Sequence, residues 1–476
     1  MHLSIFNFRK VFKIISYFIV VIVCMSIASG CFSVVSTKSS MYYFYQLKNM
    51  PLDVINIGSS HVLCSINPLE MYRRKGITAY NLADGSQPVW FSYYYLKEAL
   101  KSQSPQVVLL DVYMLYQLDD SAFIEKTQMN ILQMKPSLNK LEAIESNEVS
   151  DKDRWGIFWG FPKIHARYRE LGVEKYYEAV SENMMGYSYL PSSDPKNNEE
   201  VLDATMVTEV LPVSEKAEYY LRKSIELCKT EGIEIVLVNS PWAGITYDAA
   251  CRYNYVQEIA DEYEIDFLDG TEIYKEIGIN YLEDNAEGEH LCYTGSLKWT
   301  DYLLEYLTER YELPDHRGEY MMWEEAIEVL DNLLAVEELK KSTNAEEYFQ
   351  YLVEETQLPY VAIIQSEDGM REGLEIVKES GLELEGEERG YILRTPEGKV
   401  RIRNGLYGDK RLYKEIYDDL QEGLKGEYNN ILMQYTEKIA DARTTEGICY
   451  VVFDPFSYEL LDVVEFGEKN DYYREK

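Results

Sequence analysis

Short apolar runs that alternate with helical patterns constrain the fold of this 476-residue chain more than any other feature. Five of these runs are predicted to be strands, at residues 53–57, 77–82, 106–112, 233–238 and 265–268. Helical spacing of apolar residues is found at residues 91–100, 215–229 and 295–307. Because strands without polar alternation are typically buried on both faces, the sequence predicts an α/β domain with a parallel sheet between layers of helices.

Two departures from this alternation indicate further units. Residues 117–210 are polar and rich in helix formers, and we expect them to form a helical cap inserted between the third and fourth strands. The main domain is therefore expected at residues 50–312, and a smaller α/β or α+β domain at residues 340–476. In the smaller domain, strands are predicted at residues 360–365, 390–394, 399–403 and 448–453, and helices at 346–355 and 410–424.

The amino terminus has the composition of a membrane anchor. Residues 14–35 carry no charge, and three basic residues precede them. About 20 apolar residues are needed to cross the hydrocarbon core of a bilayer, and basic residues before such a segment favour a cytoplasmic amino terminus. Residues 1–36 are thus expected to form a cytoplasmic tip and a single-pass anchor, with the bulk of the chain outside the cell membrane. The alternative is a cleaved signal or a lipoprotein attached at Cys31, because small residues precede that cysteine.

Charge and cysteine content exclude several functional classes. The formal net charge of −35 repels phosphate backbones, so nucleic acid is not an expected partner. Seven scattered cysteines with no C-x-x-C pair disfavour both a zinc ribbon and a disulfide scaffold.

Two loops carry the residue types that nucleophilic catalysis needs. The first predicted strand ends in Gly58-Ser59-Ser60-His61, where a serine on a tight turn can face the crevice outside the carboxyl ends of the strands. The following helix start offers backbone N–H groups to a developing oxyanion. The second loop contains Glu287 and His290. A hydroxyl nucleophile requires a base and the base an orienting acceptor, so an acid three residues before a histidine can supply both.

In this order and spacing, the sequence resembles the SGNH/GDSL hydrolase superfamily, particularly its bacterial membrane-anchored members with a G-S-S-H first block. The resemblance covers about residues 50–312 without the cap, and it implies a flavodoxin-like, five-stranded parallel sheet. The matching blocks are residues 55–61, 81–87, 105–111, 237–241 and 290–307. Residues 446–466 resemble one hairpin of the interleukin-like EMT inducer domain, which implies an interaction module.

The resemblance to SGNH hydrolases also implies catalytic roles. Ser60 would be the nucleophile, and His290 the general base and then the general acid. Glu287 occupies the position where the family usually has an aspartate, and Asp284 is the reserve candidate for orienting the imidazole. The backbone N–H groups of Ser60 and Gly85 would form the oxyanion hole.

Four further residues are candidates near this crevice. The family's G-x-N-D block is not evident around residues 110–113, so Gln87 is a candidate for the missing side-chain donor. His61, Asp111 and Trp242 are candidates for lining the substrate site, with turn bonding or packing as the alternative.

These features predict an extracytoplasmic serine esterase or O-acyltransferase that acts through an acyl-enzyme on acyl esters of a cell-envelope polysaccharide or other acylated polymer. Such chemistry requires no metal or organic cofactor, and a membrane-bound acyl donor protein is a candidate partner. Two other classes remain open: a catalytically inactive scaffold of envelope assembly and a carbohydrate-binding surface protein.

Overall fold

The computed structural model describes residues 4–32, 40–47, 50–118, 124–160, 184–287, 289–365, 388–394, 400–406, 447–453, 460–467 and 472–474. The chain divides into two compact units, Met1–Ile327 and Glu328–Lys476.

A five-stranded parallel sheet forms the centre of the first unit. Its strands are β1 (Val54–Gly58), β2 (Ala79–Ala83), β3 (Val107–Asp111), β4 (Glu234–Asn239) and β5 (Phe267–Asp269). They lie in the order β2-β1-β3-β4-β5, and every neighbouring pair is parallel. This is the flavodoxin-like order, so the predicted five-stranded parallel α/β sheet is confirmed.

Helices cover both faces of this sheet. In chain order, the described α-helices up to residue 339 are α1 (Ser4–Phe32), α2 (Ser40–Phe44), α3 (Ser60–Ser65), α4 (Pro68–Lys75), α5 (Val89–Ala99), α6 (Ile124–Gln133), α7 (Leu138–Ser146), α8 (Asp151–Trp159), α9 (Glu215–Glu231), α10 (Tyr247–Tyr263), α11 (Gly270–Ile273), α12 (Tyr293–Arg310) and α13 (Met321–Leu339). Val62 of α3, Met71 of α4 and Trp299 of α12 pack on Val54 and Leu109 in one core cluster. Helices α5 and α9 pack against each other and against β1 and β4. Because side chains alternate along a strand, each face of the sheet supplies its own row of apolar residues.

The insertion between β3 and β4 contains helices, as expected. Helix α7 packs on α5, where the Asn139 amide donates a 2.9 Å hydrogen bond to the carbonyl oxygen of Tyr94. Residues 161–183, which include His165, lie outside the described residues. The rest of the insertion, residues 184–210, contacts α3, where the Ser188 N–H donates to the Leu63 carbonyl oxygen at 2.8 Å.

Helix α1 is long and apolar enough to cross a membrane, over the window Lys10–Ile27. None of the residues in that window is buried. A signal sequence at the same position would have the same properties.

The second unit contains an antiparallel sheet. Its strands are β6 (Tyr360–Gln365), β7 (Glu388–Arg394), β8 (Val400–Leu406), β9 (Gly447–Phe453), β10 (Leu460–Gly467) and β11 (Tyr472–Arg474), in the order β11-β10-β9-β6-β7-β8. Helix α14 (Ala345–Glu354) packs Tyr348 and Leu352 against Tyr450 and Phe466 of this sheet. An antiparallel sheet with a packed helix is an α+β arrangement, one of the two that the sequence allowed. The helix predicted at residues 410–424 lies outside the described residues.

Candidate active site

The turn after β1 is fixed by hydrogen bonds to the end of β3. The Ser59 hydroxyl donates to Asp111 Oδ2 at 2.7 Å, and the Ser59 N–H donates to the same oxygen at 3.0 Å. The other carboxylate oxygen, Oδ1, accepts from the Tyr113 N–H at 3.0 Å. A side chain at position 58 would not fit, because a Cβ on Gly58 would lie 2.2 Å from the Asp111 Cβ. Glycine and aspartate thus bring the two strand ends together beneath the serine turn.

Ser60 follows this fixed residue and is the first residue of α3. Ser59 is the helix N-cap, and its hydroxyl oxygen accepts from the His61 N–H at 3.2 Å. The N–H of Ser60 lies in the first turn, where a helix has no intrahelical acceptor for its donors. The Ser60 side chain is half-buried, so its hydroxyl is held at the carboxyl edge of the sheet without being sealed in the core.

The structure brings Ser60 and His290 together, although 230 positions separate them in the chain. Ser60 Oγ lies 2.8 Å from His290 Nε2. His290 lies on a narrow loop in which Asn285 and Leu291 form an isolated antiparallel bridge, and the Ala286 N–H donates to the His290 carbonyl oxygen at 2.9 Å. The imidazole is half-buried.

The other ring nitrogen of His290 contacts the main chain. Its Nδ1 lies 3.0 Å from the backbone carbonyl oxygen of Glu287, whose side chain is exposed. A carbonyl oxygen can only accept, so Nδ1 carries the proton and Nε2 presents its lone pair to the Ser60 hydroxyl. The expected orientation of the imidazole by the Glu287 carboxylate is therefore corrected: Glu287 contributes its carbonyl oxygen. The narrow loop turns the backbone toward the ring and the side chain toward solvent.

Asp284, the reserve candidate, is held in the base of the loop. It is buried and accepts hydrogen bonds from the Asn280 N–H at 2.7 Å and the Thr294 hydroxyl at 2.8 Å. Lys298 forms an ion pair with the same carboxylate. These contacts anchor the loop to the start of α12. The role of Asp284 is therefore to stabilise the loop instead of contacting the imidazole.

The last part of the insertion also holds the histidine loop, which no pattern in the sequence predicts. The Ser193 N–H donates to the Asn285 carbonyl oxygen at 3.0 Å, and the Ser192 hydroxyl donates to that of Glu283 at 2.8 Å. The Tyr187 and Ser296 hydroxyls lie 2.8 Å apart. These contacts join segments about a hundred positions apart, so no local pattern signals them.

Of the proposed oxyanion donors, Gly85 lies near the site and Gln87 is packed away from it. The N–H of Asp84 donates to the Gly58 carbonyl oxygen at 3.3 Å, which places the end of β2 beside the end of β1. Gly85 is exposed, and a Cβ there would meet nothing within 4 Å. Gln87 is 1% exposed, and its amide donates to the Ser92 hydroxyl at 3.0 Å. Since that contact ties Gln87 to the start of α5, the structure contradicts its role as an oxyanion donor.

His61 and Trp242 form a packed aromatic wall. The His61 imidazole stacks on the Tyr113 ring at a centroid distance of 3.4 Å and lies 5.1 Å from the His290 ring. Trp242 packs edge-on to Tyr113 at 5.1 Å. Burial, followed by the proximity of His290, holds the pKa of His61 well below its usual range, so this imidazole is neutral. Exposures of 1% for His61 and Trp242, and 2% for Asp111, contradict the prediction that these side chains line a substrate surface.

Glu289 is a residue of the site that sequence reasoning missed. Its Oε2 accepts a 2.7 Å hydrogen bond from the Tyr113 hydroxyl, and its Oε1 lies over Gly244. The signal that could have indicated it is its position directly before His290 in the chain. Within the described ranges, no group of three or more His, Cys, Asp or Glu side chains could hold a metal ion.

Comparisons with known proteins return structural neighbours only. No family model matches the chain, and no curated protein matches it. One solved structure is a proposed lipolytic protein of the G-D-S-L family from Desulfitobacterium hafniense; its TM-score is 0.28 at 12% identity, over 53% of this chain and 98% of the other. Another is a proposed acylhydrolase from Bacteroides fragilis, also with a TM-score of 0.28 at 12% identity, over 56% of this chain and 94% of the other.

Proposed function

We propose that the first unit is a serine esterase or O-acyltransferase that works through an acyl-enzyme on Ser60. The observation that carries this proposal is the 2.8 Å distance between Ser60 Oγ and His290 Nε2 at the carboxyl edge of the sheet. Hydrogen-bond reach between a hydroxyl and an imidazole is the first geometric requirement for a nucleophile and its base.

The reaction follows from the tautomer of His290. Nε2 takes the Ser60 proton as Oγ attacks the ester carbonyl, and the backbone N–H groups of Ser60 and Gly85 receive the oxyanion. The imidazolium then gives its proton to the leaving alcohol, and an acyl ester of Ser60 remains. Water or a glycan hydroxyl next loses its proton to Nε2 and attacks the acyl-enzyme, which releases an acid or a new ester.

The apolar helix α1 supports a location at the membrane, with this site outside the cell. We infer that the substrate is an acylated cell-envelope polysaccharide or polymer, and that a membrane-bound acyl donor protein is the source of acyl groups in the transferase case. The second unit is proposed to be an interaction module.

Labelling with a serine-reactive fluorophosphonate tests the proposal. The full-length protein in detergent should label, and Ser60→Ala should not. Ser65→Ala is the matched control, because Ser65 lies in the same short helix, is buried, and has an Oγ without a hydrogen-bond partner there. His290→Ala should slow labelling by about 10²–10⁴-fold, the usual contribution of a general base.

A folded wild-type protein that does not label would refute the esterase and support the inactive scaffold. Labelling at another serine, with Ser60→Ala unaffected, would equally contradict the assignment. Adding an alcohol during ester turnover separates the two activities: a transferase forms a new ester, whereas a hydrolase forms only the acid.

A further inference from the structure

The carboxylate of Glu289 occupies a defined position beside the candidate general base. One oxygen accepts from the Tyr113 hydroxyl at 2.7 Å. The other would lie 2.4 Å from a Cβ on Gly244, so a larger residue at position 244 would displace it. The Tyr113 ring is itself held by the stacked His61 imidazole at 3.4 Å. The carboxylate is thus positioned by its neighbours and is not a freely rotating surface group.

This carboxylate has no cationic partner in the part of the chain that the structure describes, where no lysine, arginine or histidine lies within 4.0 Å of it. It is half-buried. An ionised carboxylate can accept about four hydrogen bonds, and a single phenol fills one of them. The remaining capacity is available to a donor that enters the site.

The side of the site on which Glu289 lies determines what it can contact. The imidazole that protonates the leaving alcohol must lie next to that alcohol. The phenol that holds Glu289 belongs to Tyr113, whose ring stacks on His61. The His61 ring lies 5.1 Å from the His290 ring. This chain of contacts places the Glu289 carboxylate near the imidazole and hence near the alcohol part of the ester.

We propose that Glu289, held by Tyr113, is a specificity-determining residue that binds a hydroxyl of a neutral, sugar-like alcohol moiety and disfavours anionic ones. The inference rests on the proposed esterase function, since that function defines the alcohol side. In acyl transfer the accepting alcohol occupies the same place, so Glu289 selects the acceptor as well.

Binding of two matched probes to the full-length protein in detergent tests this subsite without requiring turnover. Methyl glucoside is neutral, and methyl glucuronide adds one carboxylate. Dissociation constants are measured by ligand-observed NMR titration. Glu289→Gln should weaken glucoside binding by about tenfold, as expected for loss of a charge-assisted hydrogen bond, and should strengthen glucuronide binding.

Two further variants control the experiment. Gly244→Ala keeps the charge but displaces the carboxylate, and it should weaken glucoside binding as well. Glu283→Gln makes the same charge change at an exposed position of the same loop and should alter neither affinity.

Opposite shifts for the two probes support the subsite, because a structural defect would weaken both. Shifts in the same direction, or none in Glu289→Gln, overturn it. Fluorophosphonate labelling of the same samples reports on the esterase separately. If glucoside binding depends on Glu289 but the protein does not label, the esterase proposal fails and the subsite proposal stands. If the protein labels but Glu289→Gln leaves both affinities unchanged, the subsite proposal fails and the esterase proposal stands.

Discussion

The carboxylate of Asp111 supports the serine turn with both of its oxygens, and Asp111→Asn isolates that feature. Oδ2 accepts from the N–H and hydroxyl of Ser59, while Oδ1 accepts from the N–H of Tyr113. An asparagine has the same shape but only one acceptor oxygen. If that oxygen faces Ser59, the amide N–H₂ must face the Tyr113 N–H, and two donors oppose each other.

The magnitude follows from these contacts. One buried N–H loses its acceptor, which costs about 1–3 kcal/mol, and the two remaining bonds become neutral ones of about half the strength. Burial raises the pKa of Asp111, so the wild-type protein carries a desolvation cost that asparagine does not. This offset keeps the expected loss in the free energy of unfolding near 2 kcal/mol, or about 3 °C in Tm for a unit of this size.

Thermal unfolding of the full-length protein in detergent, together with fluorophosphonate labelling, measures both effects. Asp269→Asn is the matched control, because one oxygen of Asp269, Oδ1, accepts from the Thr271 N–H, the Thr271 hydroxyl and the Asn239 amide. A single amide oxygen can keep all three bonds. Burial also raises the pKa of Asp269 to about 6, so a neutral substitute is well tolerated.

We expect Asp111→Asn to lose stability and to label more slowly, and Asp269→Asn to do neither. If Asp111→Asn unfolds and labels like the wild type, the turn does not need two acceptor oxygens and the reasoning is wrong. If both variants lose stability equally, the loss reflects buried asparagine in general.

Two further outcomes are expected. Gly58→Ala should destabilise the first unit by about 1–3 kcal/mol or more in urea denaturation, because its Cβ would lie 2.2 Å from that of Asp111; wild-type stability would contradict the close approach. Burial alone would lower the pKa of His316, but contacts with Glu319 at 2.7 Å and Asp53 at 3.5 Å raise it above 6.5. The stabilisation that protonated His316 contributes is therefore complete below about pH 6.5. It is lost as the pH rises through the raised pKa of His316. His316→Gln should flatten the fall in the free energy of unfolding as the pH rises above about 6.5, and an unchanged slope there would refute this assignment.

The sequence predicted the sheet because strands buried on both faces leave a strong local signal. Residues 54–58 and 107–111 contain almost no polar side chain and are buried throughout. Helix α10 was missed for the opposite reason. Its buried side mixes large apolar residues such as Val256 and Ile259 with small and polar ones such as Ala249 and Arg252, so its apolar periodicity is weak. Its N-cap, Thr246, was the available signal.

For the candidate site, the sequence indicated where some residues lie along the chain, but not how their side chains are oriented or buried. Ser60 was predicted from the rule that ligands bind outside the carboxyl ends of parallel strands, and His290 from its spacing to Glu287 and from the family resemblance. Which atom of Glu287 contacts His290 depends on how the narrow loop turns, and residue spacing does not determine that. Gln87, Asp111 and Trp242 follow or end predicted strands, but the depth at which their side chains pack is a tertiary property that the sequence pattern does not determine.

The carbonyl oxygen at His290 Nδ1 bears on whether the site hydrolyses or transfers acyl groups. It fixes the tautomer as a carboxylate would, but it offers a partial charge in place of a full one to the imidazolium that forms in the transition state. The imidazolium of His290 is then stabilised less, so the departure of a poor leaving group is accelerated less. We therefore expect the rate of acylation to depend steeply on the leaving group, which favours activated acyl donors over simple alkyl esters. A protein that cleaves alkyl and aryl acetates at similar rates would contradict this, because its base would need no such activation.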